Sequence, residues 1–227
     1  SLTASNLNHN GYIENSHYKR NNIGVGGTTS LWKGVTLGGN LSFMKGEQLG
    51  GFYGENQVGG ASSQFARSLF LARNWDLSLP YKDASGRPLI PNGGAQFDNP
   101  HWAAFNNIAT SIDERVISVG RLKIDLLKNL VFNYSLGNNV YRLNRTERTQ
   151  EFSRAADGLG RIIDHKYSIQ ELESTATISY NTRVTDDFDF SASVGQNMNT
   201  RNISDAQNTG LDFIVPGIYN LKNTATQ

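Results

Sequence analysis

Histidines and carboxylates are the first residues to weigh for chemistry, and here their spacing argues against it. His9, His17, His101 and His165 are scattered, with no His-Glu-x-x-His or comparable ligand spacing, so they read as loop and surface residues. Asp186, Asp187 and Asp189 crowd together but lack the alternating register of a calcium loop, and a charged short turn is the better reading. The string GVGGTT, Gly24 to Thr29, has the look of a phosphate loop, yet it lies inside an alternating strand and opens no helix. No serine sits in a nucleophile elbow, and with no cysteine there is no thiolate nucleophile, thiolate metal cluster or disulfide. No enzyme, cofactor or metal centre is expected. What remains is recognition: Arg73, Trp75, Tyr81, Asp98 and Trp102 combine ring faces, which match C–H patches, with charged groups that match hydroxyls. All five fall in one long connection, where binding residues concentrate. The competing role for Trp75 and Trp102 is to pin that loop in place.

The elements that position the loop follow from a period of two. Counting back from the Asp186-Asp187 turn, Leu172, Ala176, Ile178, Tyr180 and Val184 share one face, while Glu171, Glu173, Thr175, Thr177, Ser179, Asn181 and Arg183 share the other. After the turn Phe188, Phe190, Ala192 and Val194 alternate with Asp189, Ser191, Ser193, Gly195 and Asn197. These are β-strands with two unlike faces. Residues 18–31 and 35–48 repeat the design around Trp32-Lys33-Gly34, with Ile23, Val25, Val35, Leu37, Leu41 and Phe43 opposite Arg20, Asn22, Asn40 and Ser42. A third hairpin runs from about Ile112 to Asn144, turning near Leu127-Lys128-Asn129.

Connections come in two sizes. Three are about three residues long, whereas the others run from Leu49 to Ser111 and from about Glu147 to Tyr167. Short turns at one end, long loops at the other and strands of about 14 to 17 residues are the marks of an outer-membrane barrel. Trp32, Tyr180, Phe188 and Phe190, close to the short turns, suit an interfacial girdle. Nowhere do 18 or more apolar residues run together, which excludes a membrane helix; the mean hydropathy of -0.45 does not exclude a barrel, because alternation averages to a polar score. A net charge of +1 argues against a nucleic-acid binder. Within the long connection, SSQFARSLFLARNWDL spaces Phe65, Leu69 and Ala72, with Leu71 and Trp75, at helical intervals for a short helix that Ser62-Ser63 could cap, and DASGRPLIPNGGAQFDNP reads as irregular. Two other architectures fit the alternation. A closed eight-stranded barrel serving as an adhesin or anchor requires the first and last strands to pair. A soluble β-sandwich binding module requires Val35, Leu37, Leu41 and Phe43 to be buried against a second sheet.

Four strings carry a family resemblance: NHNGYIENSHYKRNNIGVGGTTSLWKGVTLGGNLSF, NPHWAAFNN, DERVISVGRLKIDLLKNLVFNYSLGNNVY and LDFIVPGIYNLKN. Together they resemble the barrel region of the SusC/RagA family of TonB-linked outer-membrane transporters of Bacteroidetes, over almost the whole chain. The resemblance implies an all-β, antiparallel transmembrane segment, about seven or eight strands of a 22-stranded barrel, with residues 49–111 as a long extracellular loop. It implies import of oligosaccharides or peptides, with a SusD-like lipoprotein as lid, TonB as energy source and outer-membrane lipid around the wall. Arg20, Asn40, Glu171, Glu173 and Arg183 would then face the lumen, lining the passage or hydrogen-bonding a plug. No plug, TonB box or leader is recognisable, and Gln227 ends a polar stretch where such barrels close on an aromatic residue, so residues 1–227 are expected to be an internal part of a single barrel domain.

Overall fold

The structure, a computed structural model, describes residues 1–51, 63–89 and 97–227. Eight strands form one antiparallel sheet in chain order: β1 (Leu2–Asn10), β2 (His17–Trp32), β3 (Val35–Gly50), β4 (Ile108–Leu127), β5 (Leu130–Thr149), β6 (Arg161–Thr185), β7 (Phe188–Phe213) and β8 (Thr224–Thr226). Two helices, α1 (Gln64–Ser68) and α2 (Pro100–Asn106), lie in the connection between β3 and β4. Among the described residues no helix is long and apolar enough to cross a membrane.

The strands outrun the alternation that announces them. Each of β4 and β5 has 20 residues, β6 has 25 and β7 has 26. The connection expected from Glu147 to Tyr167 shrinks accordingly, because pairing continues down to Thr149↔Arg161. Adjacent Ile162 and Ile163 break the period there, while the ladder itself carries on. The tight turns contain two residues, Lys33-Gly34, Lys128-Asn129 and Asp186-Asp187, each next to a register shift: Ser30/Trp32, Asp125/Leu127 and Arg183/Thr185. A bulge beside each turn makes a two-residue loop look like three in sequence. Gly34 adopts φ +82°, a left-handed conformation that costs glycine least, and its carbonyl accepts from Asp125 N at 2.7 Å, so the neighbouring strand caps the turn.

Register sorts the two faces. On one face Phe43, Val116 and Val140 stand opposite one another across β3, β4 and β5 and mark the upper edge of an apolar band. On β6 that edge falls to Leu172, opposite Asn138, and on β7 to Met198, opposite Ser174. The band therefore steps toward the turns on β6 and β7, and the β6–β7 hairpin carries it further down through Val184 and Phe188. A level band on tilted strands must step through register in this way, as in a barrel wall. From Val35 to Phe43 it covers about 27 Å along the strand, or about 20 Å of height at a tilt of about 40°.

That band does not pack on a second layer. Leu37, Leu41 and Phe43 are 43%, 48% and 40% exposed, which rules out the sandwich; Val35, opposite Trp32 at the hairpin base, is buried. Nor does the sheet close on itself: β1 pairs with β2 alone, and β8 joins β7 only through Leu211↔Thr226 and Phe213↔Thr224. Among the described residues there is no pairing between the first and last strands, so the eight-stranded closed barrel is not formed.

Candidate ligand-binding surface

Four connections gather at the end opposite the tight turns, and a buried carboxylate ties two of them together. Asp98, fully buried, accepts hydrogen bonds from Ser153 Oγ (2.6 Å) and Asn107 Nδ2 (2.9 Å) on Oδ2 and from Arg154 N (2.8 Å) on Oδ1. Asn107 also accepts from Gln150 N at 3.0 Å, so the β5–β6 connection is held to the segment before β4. Burial pushes the Asp98 carboxyl above its ordinary range, against the pull of those donors.

Helix α2 sits just above this joint. Asn99 caps it by accepting from His101 N at 3.0 Å, and Pro100 occupies the first turn, where its missing N–H is no loss. Trp102, also fully buried, donates Nε1–H to Gly86 O at 2.9 Å, and Asn99 Nδ2 donates to Leu89 O at 3.1 Å. On its outer side Tyr81 stacks on Phe105, rings 6.2 Å apart, and His101 Nδ1 meets Glu14 Oε2 at 2.7 Å. The helix thus joins the β1–β2 connection to the long one.

The five expected contact residues therefore divide. Asp98 and Trp102 are enclosed and make their hydrogen bonds within the loops; they are pins, and burial removes them as direct ligand contacts. Arg73 is exposed, while Trp75 and Tyr81 are half-buried. Trp75 Nε1–H has no partner among the described residues. Ser63 caps α1, accepting from Ala66 N at 3.3 Å; Ser62 lies outside the described residues. Helix α1 ends at Ser68, so the expected helical run through Leu71 and Trp75 stops after five residues. Sequence reasoning missed α2, although Asn99-Pro100 is a helix-start signal, and missed Ser153 and Asn107, which no local pattern betrays.

Register puts Arg20, Asn40, Glu171, Glu173 and Arg183 on one shared face of the sheet. A wet row crosses β4 to β7 there: Arg115 Nε donates to Asn139 Oδ1 (2.9 Å), Asn139 Nδ2 to Glu171 Oε2 (2.9 Å), and Arg201 Nε lies 3.2 Å from Glu171 Oε1. Glu173 accepts from Asn197 at 2.8 Å, Asn40 from Arg121 at 3.2 Å, and Arg183 pairs with Asp189 at 3.2 Å. A cavity of about 740 Å³ opens on this face near the turns, among residues that include Thr28, Asn40, Arg121, Ser135 and Thr175.

An open, stepped antiparallel sheet with a polar, hollowed face and an apolar, exposed one is a section of wall from a larger β-barrel. Its fold is that of a stretch of the RagAB peptide importer: the 'closed-closed' state superposes with a TM-score of 0.76 at 14% identity, and the RagAB peptide transporter with 0.76 at 15%. The 'open-open' state gives 0.73 at 15% identity. In each case all of this chain is covered, but only 25% of the other, so the chain spans about a quarter of their length. No protein-family model matches the sequence, and neither does any curated protein.

Proposed function

We propose that this chain forms part of the wall and mouth of an outer-membrane, TonB-dependent importer of short polymers, peptides first and oligosaccharides second. The observation that carries the reading is the sorting of faces: exposed Leu37, Leu41 and Phe43 on one side, the Arg115–Asn139–Glu171–Arg201 row on the other. Lipid covers the apolar band, and the polar face lines the passage or meets a plug. Peptide is preferred because the proteins sharing the fold are peptide importers by name.

In this reading the loops at the Asp98 end face outward, under a SusD-like lipoprotein lid, and TonB acts on another part of the parent protein. Arg73, Trp75 and Tyr81 are the contacts offered to cargo by the long connection, while Arg20, Asn40, Glu171, Glu173 and Arg183 face the lumen. The test is uptake: cells lacking the parent gene should lose accumulation of a labelled peptide pool and regain it on complementation. Loss of no peptide and no oligosaccharide from the uptake profile would contradict the assignment.

A further inference from the structure

Two guanidinium groups at the loop end stand without ion-pair partners among the described residues; one rises from backbone bonded to the buried joint and the other from a turn bonded to Trp102. Arg87 and Arg154 flank a notch of about 420 Å³ completed by Pro88, Phe152, Asp157 and Gly158. The Arg87 guanidinium lies over the Phe152 ring, 4.8 Å from its centroid, so the ring orients the fork without consuming its N–H donors. Arg87 projects from a small turn closed by Asp83 N to Arg87 O (3.0 Å) and Gly86 N to Asp83 O (3.1 Å), and Trp102 fixes that turn through Gly86 O. Arg154 follows Ser153, and both are bonded to Asp98. Phe152 itself is held at φ +73°, a conformation that persists for a non-glycine residue only where its surroundings impose it.

The charges leave room for an anion. Among the described residues Asp157 is the one carboxylate lining the notch. Asp83 accepts from Ser85 N, Ser85 Oγ and Arg87 N, and Asp98 is filled by its three donors. Two positioned guanidinium groups beside an aromatic ring and a proline match a carboxylate attached to an apolar side chain, because the forked donors pair with both oxygens while the rings take the C–H surface. We propose that this notch is a receptor for the C-terminal carboxylate of a peptide cargo; the assignment rests on the importer reading and names the end of the peptide that is gripped.

The full-length protein, purified in detergent, would be titrated with a fluorescent pentapeptide ending in leucine, once with a free carboxylate and once as the C-terminal amide. The free acid should bind about tenfold more tightly, and Arg87→Gln or Arg154→Gln should abolish the difference, whereas Lys128→Gln at a distant turn should leave it intact. Equal binding of acid and amide by the native protein, or a ratio that survives both arginine substitutions, would overturn the site. An oligosaccharide ending in glucuronate serves as the second probe. If it alone binds and depends on Arg87, the carboxylate site stands and the peptide reading falls. If neither probe binds while cells still take up peptide, the site is wrong and the importer reading stands.

Discussion

Asp98 and Ser153, 55 residues apart in sequence, share a 2.6 Å hydrogen bond in the interior of the loop layer. That bond fastens two connections that leave different hairpins, so the segment before β4 and the β5–β6 connection are held together. Replacing Asp98 by Ala would take the acceptor from the Ser153 hydroxyl and from Arg154 N–H and leave Asn107 Nδ2 with Ser153 Oγ alone, at a cost of about 1–3 kcal/mol to the local structure. Hydrogen exchange should accelerate across residues 97–107 and 150–158 and stay unchanged in β3 and β4.

The joint should also respond to pH. A carboxyl whose folded pKa is raised contributes stability that is fully present below its unfolded value and is lost as pH rises through the folded one. For Asp98, burial raises it above the ordinary 3.8. Exchange protection of the same two segments, corrected for intrinsic rates, should therefore decline as pH climbs from about 4 toward neutrality. Asp98→Asn should flatten that dependence.

Gly34 and Gly27 make a controlled pair in one hairpin. Gly34 has φ +82°, whereas a Cβ on Gly27 would meet nothing within 4 Å. Alanine at position 34 should destabilise the β2–β3 hairpin by about 1–2 kcal/mol, and at position 27 by far less. Urea unfolding of the two variants measures the difference.

Glu171 bridges Asn139 and Arg201 on a face open to water. Exposed pairs of this kind are worth about 0–1 kcal/mol, so Glu171→Gln should barely move the unfolding midpoint. A loss of several kcal/mol would mean that the row is packed against something solid.

How much of this was legible beforehand divides along the line between local and distant physics. Alternation in β2, β3, β6 and β7 announced two unlike faces, since side-chain direction in a strand depends only on parity. Strand ends were less legible: Ile162-Ile163 interrupts the pattern while backbone pairing continues. Helix α2 carried its own Asn-Pro start signal yet stood in a stretch that otherwise reads as turns. The Asp98–Asn107–Ser153 joint had no signature at all, because a polar residue destined for burial looks in sequence like any surface residue. The same distance effect hid the notch, whose two arginines come from different connections.

The central claim is that the sheet separates lipid from water, and absence of cysteine from these 227 residues makes it directly measurable. Single cysteines at Leu37, Asn40, Leu41, Ser42 and Phe43, introduced one at a time into the full-length protein in lipid vesicles, would be probed with a water-soluble maleimide and, after labelling with a fluorophore, with quenching lipids. Positions 37, 41 and 43 should be quenched by lipid and slow to react from water, with 40 and 42 the reverse. Reaction of all five from water at similar rates, with no quenching at 41, would contradict the account.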